Sequence, residues 1–143
     1  MRAKKQLNGS ADEVETAFYD ALSRADLEAL MLLWADDEEI VCIHPGAARL
    51  IGHAAIRASW EAILAHGSVH IVARKVHVVA NMLTAVHSII EQLEHAVNDR
   101  AEVHIVATNV YIKTPLGWRI TMHHASGAVG QAPAEHSRSA VLH

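Results

Sequence analysis

The sequence predicts an α+β fold in which three N-terminal helices pack on one side of an antiparallel sheet. Up to Leu64 the apolar residues recur at helical spacing, and from Val69 onward they alternate with a period of two, as they do in strands. The last two predicted strands, 103–113 and 118–126, flank the turn Thr114-Pro-Leu-Gly117. Helices that precede a meandering sheet in this way are typical of α+β domains.

Each predicted helix has a recognisable beginning. Ser10 and Glu13 form a capping box, in which the Ser10 hydroxyl accepts from the Glu13 amide and the carboxylate reaches back. Asp26 is a second N-cap, and Gly52 precedes the third helix. The apolar stripes behind these starts are Val14, Ala17, Phe18, Ala21 and Leu22; Leu27, Leu30, Met31 and Trp34; and Ile56, Trp60, Ile63 and Leu64.

Three further strands are predicted before the final hairpin. Residues 40–44 are mostly β-branched and end at Pro45-Gly46, while 69–80 and 85–94 alternate along their length. Turns are expected at 81–84 and at 97–100, where an Asn-Asp pair tolerates positive φ.

Several strands carry apolar residues on both alternating sets, such as Ile71 and Ala73 on one set and Val72 and Val76 on the other. Because helices cover only one face of the sheet, the second apolar face needs another cover. A second copy of the sheet is the simplest cover, so we expect a homodimer that associates through the outer sheet face.

Composition limits the function classes. The 143 residues carry a net charge of −4 and no basic cluster, which argues against nucleic-acid binding. No apolar run approaches transmembrane length, and no apolar segment follows the basic N-terminus as in a secretory signal. The single cysteine, Cys42, excludes an internal disulfide and is expected to be a buried apolar filler. A cytoplasmic protein with no membrane partner is therefore expected.

Several segments, in this order and spacing, resemble the SnoaL-like branch of the nuclear-transport-factor-two-like superfamily. They are Ala21–Leu30 followed by Leu33-Trp-Ala, His44-Pro-Gly, Gly52 with Ile56 and Trp60, Ala107-Thr-Asn-Val-Tyr111, and Gly117-Trp-Arg-Ile with His123-His-Ala-Ser126. The closing strand is also similar to the association domain of calcium/calmodulin-dependent kinase. The resemblance covers residues 10–127 as one domain, leaving 1–9 and 128–143 as flexible termini.

This resemblance implies a cone-shaped half barrel, in which a strongly curved antiparallel sheet wraps around the helices and leaves a pocket between them. Relatives commonly dimerise through the outer sheet face, and they include ketosteroid isomerase, scytalone dehydratase and polyketide cyclases. The resemblance therefore predicts the fold of this chain better than it predicts the function.

The same resemblance indicates which residues line the pocket. His123 and His124 lie on opposite faces of one strand, and the family comparison turns the His123 face, with Arg119, Thr121 and Ala125, toward the pocket. Asn109 and Ala125 stand where the kinase-association relative carries arginines, and Arg57 or Arg119 could replace that lost charge. The expected ligand-binding residues are Trp34, His44, Arg57, Trp60, Asn109, Tyr111 and His123.

Each of these assignments also has a purely structural explanation. His123 is also explained as a structural histidine in a polar corner, His44 as a turn residue that bonds local backbone, and the aromatic residues Trp34, Trp60 and Tyr111 as core.

Two kinds of enzyme can be weighed. An isomerase needs a pocket carboxylate base and a neutral acid, but Glu91 is expected to point outward into solvent, so no such pair is evident. A dehydratase would use His123 as the catalytic proton carrier, with Asn109 or Tyr111 steadying the substrate oxygen.

No metal site and no cofactor are expected. The chain has 12 histidines, but they are scattered, and His66 and His70 span a helix end and a strand start rather than one helical face. Phosphate-binding glycine loops are absent.

The favoured interpretation is a dimeric small-molecule-binding domain with an apolar pocket for a small apolar or mixed-polarity ligand. One alternative is an isomerase, dehydratase or cyclase that uses the pocket histidine. The other is a dimerisation or assembly module with a vestigial pocket.

Overall fold

The computed structural model describes residues 9–93 and 103–129 and confirms the α+β fold, with three helices and a curved, unclosed six-stranded sheet. The elements in chain order are α1 (Ala11–Ser23), α2 (Leu27–Leu32), β1 (Val41–Ile43), β2 (Leu50–Ile51), α3 (His53–Leu64), β3 (Ile71–Ala80), β4 (Thr84–Leu93), β5 (Val103–Thr114) and β6 (Gly117–Val129). The expected turn at 97–100 and the termini expected to be flexible lie outside the described residues, apart from Gly9 and the last two residues of β6.

The helices begin where their caps predict. The Ser10 hydroxyl accepts from the Glu13 amide at 3.2 Å, and the Glu13 carboxylate accepts from the Gly9 amide at 3.2 Å. The Asp26 carboxylate accepts from the Ala29 amide at 3.0 Å and opens α2.

The sheet has the strand order β2-β1-β6-β5-β4-β3. The four long strands β3 to β6 are antiparallel to their neighbours, but β1 pairs with β6 in parallel. The expectation of a wholly antiparallel sheet was therefore wrong at this pair. The reason is that β1 lies between α2 and α3 in the chain, so no hairpin with β6 sets its direction.

Two β-bulges alter the alternation of side chains. In β3 the pairing with β4 shifts between Lys75 and His77. In β6, Met122 pairs with Val110 while Ile120 pairs with Tyr111, which leaves Thr121 as an extra residue.

The second bulge corrects part of the predicted inner face. Simple alternation places His123 on the same face as Arg119 and Thr121. With the bulge, Ile120 pairs with Tyr111 and His123 pairs with Asn109. Because Tyr111 and Asn109 share one face of β5, Ile120 and His123 share that face too. Both Ile120 and His123 are buried. The assignment of Arg119 and Thr121 to the His123 face was wrong for this reason.

The main core lies between the inner sheet face, α1 and α3. Its largest fully buried members are Tyr111, Phe18, Leu22, Leu30, Ile40, Ile56 and Ile120. On the outer face Val72 and Val79 remain exposed. Within residues 9–93 and 103–129, no helix combines the length and the apolar character that crossing a bilayer demands.

Candidate functional site

A group of polar side chains occupies the inner face of the sheet. His87 of β4, Asn109 of β5 and His123 of β6 are paired in one row across three strands. Strand alternation places Tyr111 on the same face as Asn109, and Glu91 on the same face as His87.

Helix α1 supplies the other members. Glu15 and Tyr19 stand four residues apart and therefore project from one side of the helix toward the sheet. We call the seven residues the inner polar cluster, and none is more than 8% exposed. They are Glu15, Tyr19, His87, Glu91, Asn109, Tyr111 and His123.

Glu15 is the acceptor at one end of the cluster. Its Oε2 accepts from the Tyr111 hydroxyl at 2.6 Å, from His87 Nδ1 at 3.0 Å and from Asn109 Nδ2 at 3.2 Å. Burial by itself raises the pKa of Glu15, but the hydrogen bonds from His87, Tyr111 and Asn109 outweigh it and lower that pKa below its ordinary value. Glu15 is therefore an ionised carboxylate whose Oε2 accepts three hydrogen bonds.

Glu91 is the second buried carboxyl group, and its pKa is raised where that of Glu15 is lowered. Its Oε2 accepts from the Tyr19 hydroxyl at 2.6 Å, and Tyr19 in turn accepts from Asn109 Nδ2 at 3.1 Å. Burial raises the pKa of Glu91 and the negative charge of Glu15 raises it further, while the bond from Tyr19 lowers it without cancelling the rise. One buried cluster thus contains two carboxyl groups whose pKa values move in opposite directions.

The burial of Glu91 overturns a prediction. An outward, solvated side chain is expected from the sequence, but Glu91 is 7% exposed and bonded to Tyr19. The helix α1 provides the buried partner that makes this placement possible.

His123 is held as a neutral ring of defined tautomer. Its Nδ1 lies 2.6 Å from Asn109 Oδ1. Because Asn109 Nδ2 already donates to Glu15 and Tyr19, Asn109 Oδ1 is the acceptor and His123 Nδ1 carries the hydrogen. Burial lowers the pKa of His123 to about 3, helped by the nearby His44 and His124. His123 is therefore a hydrogen-bond donor at neutral pH and a weak base.

Aromatic rings border the cluster on the α3 side. The His123 ring centroid lies 5.2 Å from that of Phe18 and 6.0 Å from that of Trp60. His44 packs edge-to-face on Trp60 with centroids 4.7 Å apart, and its Nε2 lies 3.0 Å from Ser59 Oγ. His44 thus contacts α3 through its side chain.

Nucleophilic chemistry has little support at Cys42. Its Sγ lies 3.7 Å from His44 Nε2, but Ser59 donates to the Ile56 carbonyl and must therefore accept from that same nitrogen. Burial raises the pKa of the Cys42 thiol to about 12, so the reactive thiolate is not formed.

One group of possible metal ligands involves the cluster. Ligand atoms of Asp12, Glu15 and His87 lie within 4.8 Å of one another. Protein donors already occupy them, since Lys75 Nζ donates to Asp12 at 2.6 Å and three donors converge on Glu15. The arrangement is explained as an ion-pair and hydrogen-bond network.

The structure brings most predicted ligand-binding residues together. Asn109, Tyr111 and His123 belong to the cluster, and Trp60 and His44 border it. Arg57 does not reach it, because its side chain is 42% exposed and forms an ion pair with Glu28.

Glu15, Tyr19 and His87 were not among the residues predicted for the site. The available signal was their position, because Glu15 and Tyr19 directly follow the apolar residues Val14 and Phe18 and could share the buried side of α1.

Trp34 lies apart from the cluster, in the wall of a groove. This cavity of about 860 Å³ lies between α1, α2 and the turn that joins β5 to β6. We call it the hairpin groove. Of the predicted ligand-binding residues that the structure describes, Trp34 alone lines it.

Comparisons with known proteins agree with this architecture. Residues 12–130 match the model of the SnoaL-like domain family. A solved "putative calcium/calmodulin-dependent protein kinase type II association domain" from Thiobacillus denitrificans is 33% identical, with 87% of this chain and 99% of that chain covered at a TM-score of 0.77.

A "putative dehydratase from the NTF2-like family" of Streptomyces avermitilis is 31% identical, with 82% of this chain and 92% of that chain covered at a TM-score of 0.69. A ketosteroid isomerase-like protein from Erwinia carotovora atroseptica shares 14% identity over 85% of this chain and 94% of that chain, at a TM-score of 0.64, and supports the fold alone. No curated protein matches the chain.

Proposed function

The chain belongs to the SnoaL-like domain family, and from this membership we propose that it is a homodimeric small-molecule-binding domain. Its ligand lies against the inner polar cluster. The observation that carries the proposal is the burial of seven polar side chains between α1 and the sheet face that it covers. Buried polar networks demand complete bonding to be tolerated, and perturbed pKa values concentrate at functional sites.

The surroundings indicate the kind of ligand. Phe18, Trp60 and His44 offer flat apolar surface next to His123. The cluster offers hydroxyl, amide and imidazole groups. A compact molecule with an apolar body and one or two polar atoms fits this combination. Because the cluster is closed in this conformation, we expect binding to require an opening of the interior and hence to be slow.

The homodimer rests on the outer sheet face. Val79, Val86, Val110 and Met122 form one row across β3 to β6, and Val79 is 58% exposed. An apolar face of this kind is typical of a protein interface.

A retained ligand provides the first test. Native mass spectrometry of freshly purified protein should detect a bound molecule, and Asn109→Leu should lose it because this change removes the donors and the acceptor at the centre of the cluster. Gln92→Leu is the matched control, since it removes an exposed side-chain amide of β4 outside the cluster. Equal ligand retention by both variants would exclude the cluster as the binding place. A dimer that carries nothing and binds nothing in a thermal-shift screen would favour the assembly module.

A second function, proton transfer of the isomerase, dehydratase or cyclase type, is favoured by the two carboxyl groups. Environments that drive two pKa values apart assign acid and base roles. Glu91, with its raised pKa, is suited to take a proton from a carbon beside a carbonyl group or to give one to a leaving hydroxyl. The hydroxyls of Tyr19 and Tyr111 stay protonated, because burial raises both pKa values. Each donates its single hydrogen to Glu91 or Glu15 in this structure, so donation to a substrate oxygen requires the hydroxyl to turn away from that carboxylate. The "putative dehydratase" of Streptomyces avermitilis points in the same direction.

In this second function His123 is a positioning residue, since its low pKa makes it a poor proton carrier and its Nδ1–H orients Asn109. The test is deuterium exchange at the carbon next to the carbonyl in a panel of ketones and 3-hydroxy ketones, followed by NMR. Glu91→Gln should abolish the exchange, while His123→Asn should retain part of it. If His123→Asn abolished the exchange and Glu91→Gln retained part of it, His123 would be the proton carrier.

A further inference from the structure

The hairpin groove lies on the side of α1 that faces away from the inner polar cluster. Ala17, Asp20 and Arg24 line the groove at a spacing of three and four residues, so they share one side of the helix. Glu15 and Tyr19 stand two residues before and after Ala17, which turns them by about 200° around a helix of 3.6 residues per turn. The groove is therefore a different place from the cluster.

The groove has apolar walls with an open mouth. Met31 and Leu33 form buried wall, with 7% and 4% of their surface exposed. Leu32 and Leu116, which also line it, are more than half exposed. A molecule with a short hydrocarbon body would cover these last two side chains.

Two donor groups in the wall of the groove have no anionic partner within residues 9–93 and 103–129. Arg119 is 8% exposed, and the one bond found for its guanidinium runs to the Trp118 carbonyl at 2.9 Å, with no carboxylate partner among the described residues. Trp34 is 3% exposed, and its indole N–H makes no hydrogen bond within the same part of the chain. A buried donor without a partner, as at the Trp34 indole, is costly, and an anionic acceptor would remove that cost. The Arg119 guanidinium, which forms no ion pair with any residue that the structure describes, would attract the same anion.

The acidic residues around the groove do not cancel this preference. Asp20 is held by Arg24 at 2.9 Å. Asp36 and Asp37 are exposed, where solvent and salt weaken their field. The buried guanidinium thus remains the dominant charge for a molecule inside the groove.

We propose that the hairpin groove binds a small amphipathic carboxylate, whose anionic group pairs with Arg119 and the Trp34 indole N–H while its hydrocarbon part covers Leu32 and Leu116. Arginine suits this task because its planar fork matches a carboxylate with two parallel hydrogen bonds.

Octanoate is the probe, with octan-1-ol and octylammonium as matched molecules that carry a neutral and a cationic head. Isothermal titration of the wild-type protein should give the affinity order octanoate, octan-1-ol, octylammonium. The ¹H–¹⁵N spectrum should show the indole resonance that is missing in Trp34→Phe moving on addition of octanoate. Equal affinities for octanoate and octan-1-ol, or an unmoved Trp34 resonance, would overturn the proposal without any variant at Arg119.

Variants then locate the charge. Arg119→Gln should weaken octanoate binding by about 10- to 100-fold, the range expected for a charge-assisted hydrogen-bond pair, and should leave octan-1-ol binding unchanged. Arg49→Gln is the matched control, because Arg49 is an exposed arginine that does not line the groove. An equal loss in both variants would contradict the assignment to Arg119. Asn109→Leu should keep octanoate binding, so the groove and the inner polar cluster can fail independently.

Discussion

At the scale of single residues, Asn109 organises the inner polar cluster. Its amide nitrogen donates to Glu15 and to Tyr19, and its oxygen accepts from His123. One side chain therefore fixes the hydroxyl direction of Tyr19 and the tautomer of His123 at once. An alanine or leucine at this position would leave several buried groups without a hydrogen-bond partner. A substitution of Asn109 therefore tests the cluster better than a substitution of its neighbours.

The two carboxyl groups predict opposite dependences of stability on pH. Glu15 has a folded pKa below its ordinary 4.5, so it stabilises the fold above pH 4.5, and this contribution is lost as the pH falls through the folded value. Glu91 has a folded pKa above 4.5, so the folded state holds its proton more tightly, and stability falls as the pH rises from 4.5 through that raised value.

Denaturant unfolding at several pH values tests this pair. At pH 7, Glu15→Gln should lose about 2 to 4 kcal/mol, because three donors lose a charged acceptor. Glu91→Gln should instead gain about 1 kcal/mol, since the amide removes a group that is costly to ionise when buried. Both differences should shrink below pH 4, and a stabilising Glu15→Gln would refute the ionised state of Glu15.

His123 predicts a separate loss of stability in mild acid. Its pKa falls from 6.5 in the unfolded chain to about 3 in the folded protein, so only the unfolded state gains this proton between those values. Stability should therefore decline by about 1.4 kcal/mol per pH unit below pH 6.5 on account of this one group. His123→Asn should flatten the profile between pH 6 and 4, and His124→Asn, at the exposed neighbour, should leave it unchanged.

At the scale of elements, β6 marks where sequence reasoning reaches its limit. Alternation predicted that His123 and His124 lie on opposite faces, and the family resemblance turned the His123 face toward the inside. Alternation could not place Ile120 on the His123 face, because no glycine or other signal at Thr121 announces the bulge. The two-residue strand β2 was likewise too short to leave a periodic pattern.

Helix α1 illustrates a second limit. Its cap and apolar stripe predicted its start and its buried face, and both are observed. Glu15 escaped notice because acidic residues in a helix are normally solvated, and Tyr19 because tyrosine is only intermediate in its tendency to be buried. Only the polar row His87, Asn109 and His123 on the opposing sheet makes their burial favourable, and the register that assembles this row is a property of three strands together.

The hairpin between β5 and β6 predicts an element-scale change. Gly117 closes it with a φ of 112°, a region that residues with a Cβ rarely adopt. Gly117→Ala should therefore cost about 1 to 2 kcal/mol in urea unfolding. Gly127→Ala serves as the comparison, since Gly127 lies in β6 without a positive φ, and a similar cost there would show that the backbone conformation is not the cause.

At the scale of the whole molecule, the two faces of the sheet differ in the polarity of their side chains. The inner face carries the buried cluster, and the outer face presents rows of valines with Ile90 and Met122. This division supports the proposed homodimer, because a second copy can cover the outer face without disturbing the cluster.

Val106→Lys tests the dimer directly. Val106 pairs with Ile90 and Ser126 in the middle of the outer face, so a lysine would bury an unpaired charge at the interface and weaken association by more than about a hundredfold. Light scattering after gel filtration should give the mass of a dimer for the wild type and for Ile51→Lys, an exposed change on β2, and the mass of a monomer for Val106→Lys. A wild-type monomer, or a dimeric Val106→Lys, would be incompatible with the proposed interface.

The position of β3 at the end of the strand order has a consequence for how the protein avoids polymerising. Ten residues of backbone lie along a border that no other strand covers within the described part of the chain, and several valines stand beside it. Such a border invites the addition of foreign strands. Here the shift in pairing between Lys75 and His77 breaks its regular spacing, and Arg74 places positive charge beside that point, while Lys75 pairs with Asp12 of α1. An incoming copy would have to accommodate both the irregular spacing and the like charges, so the molecule protects its open border by local geometry and repulsion.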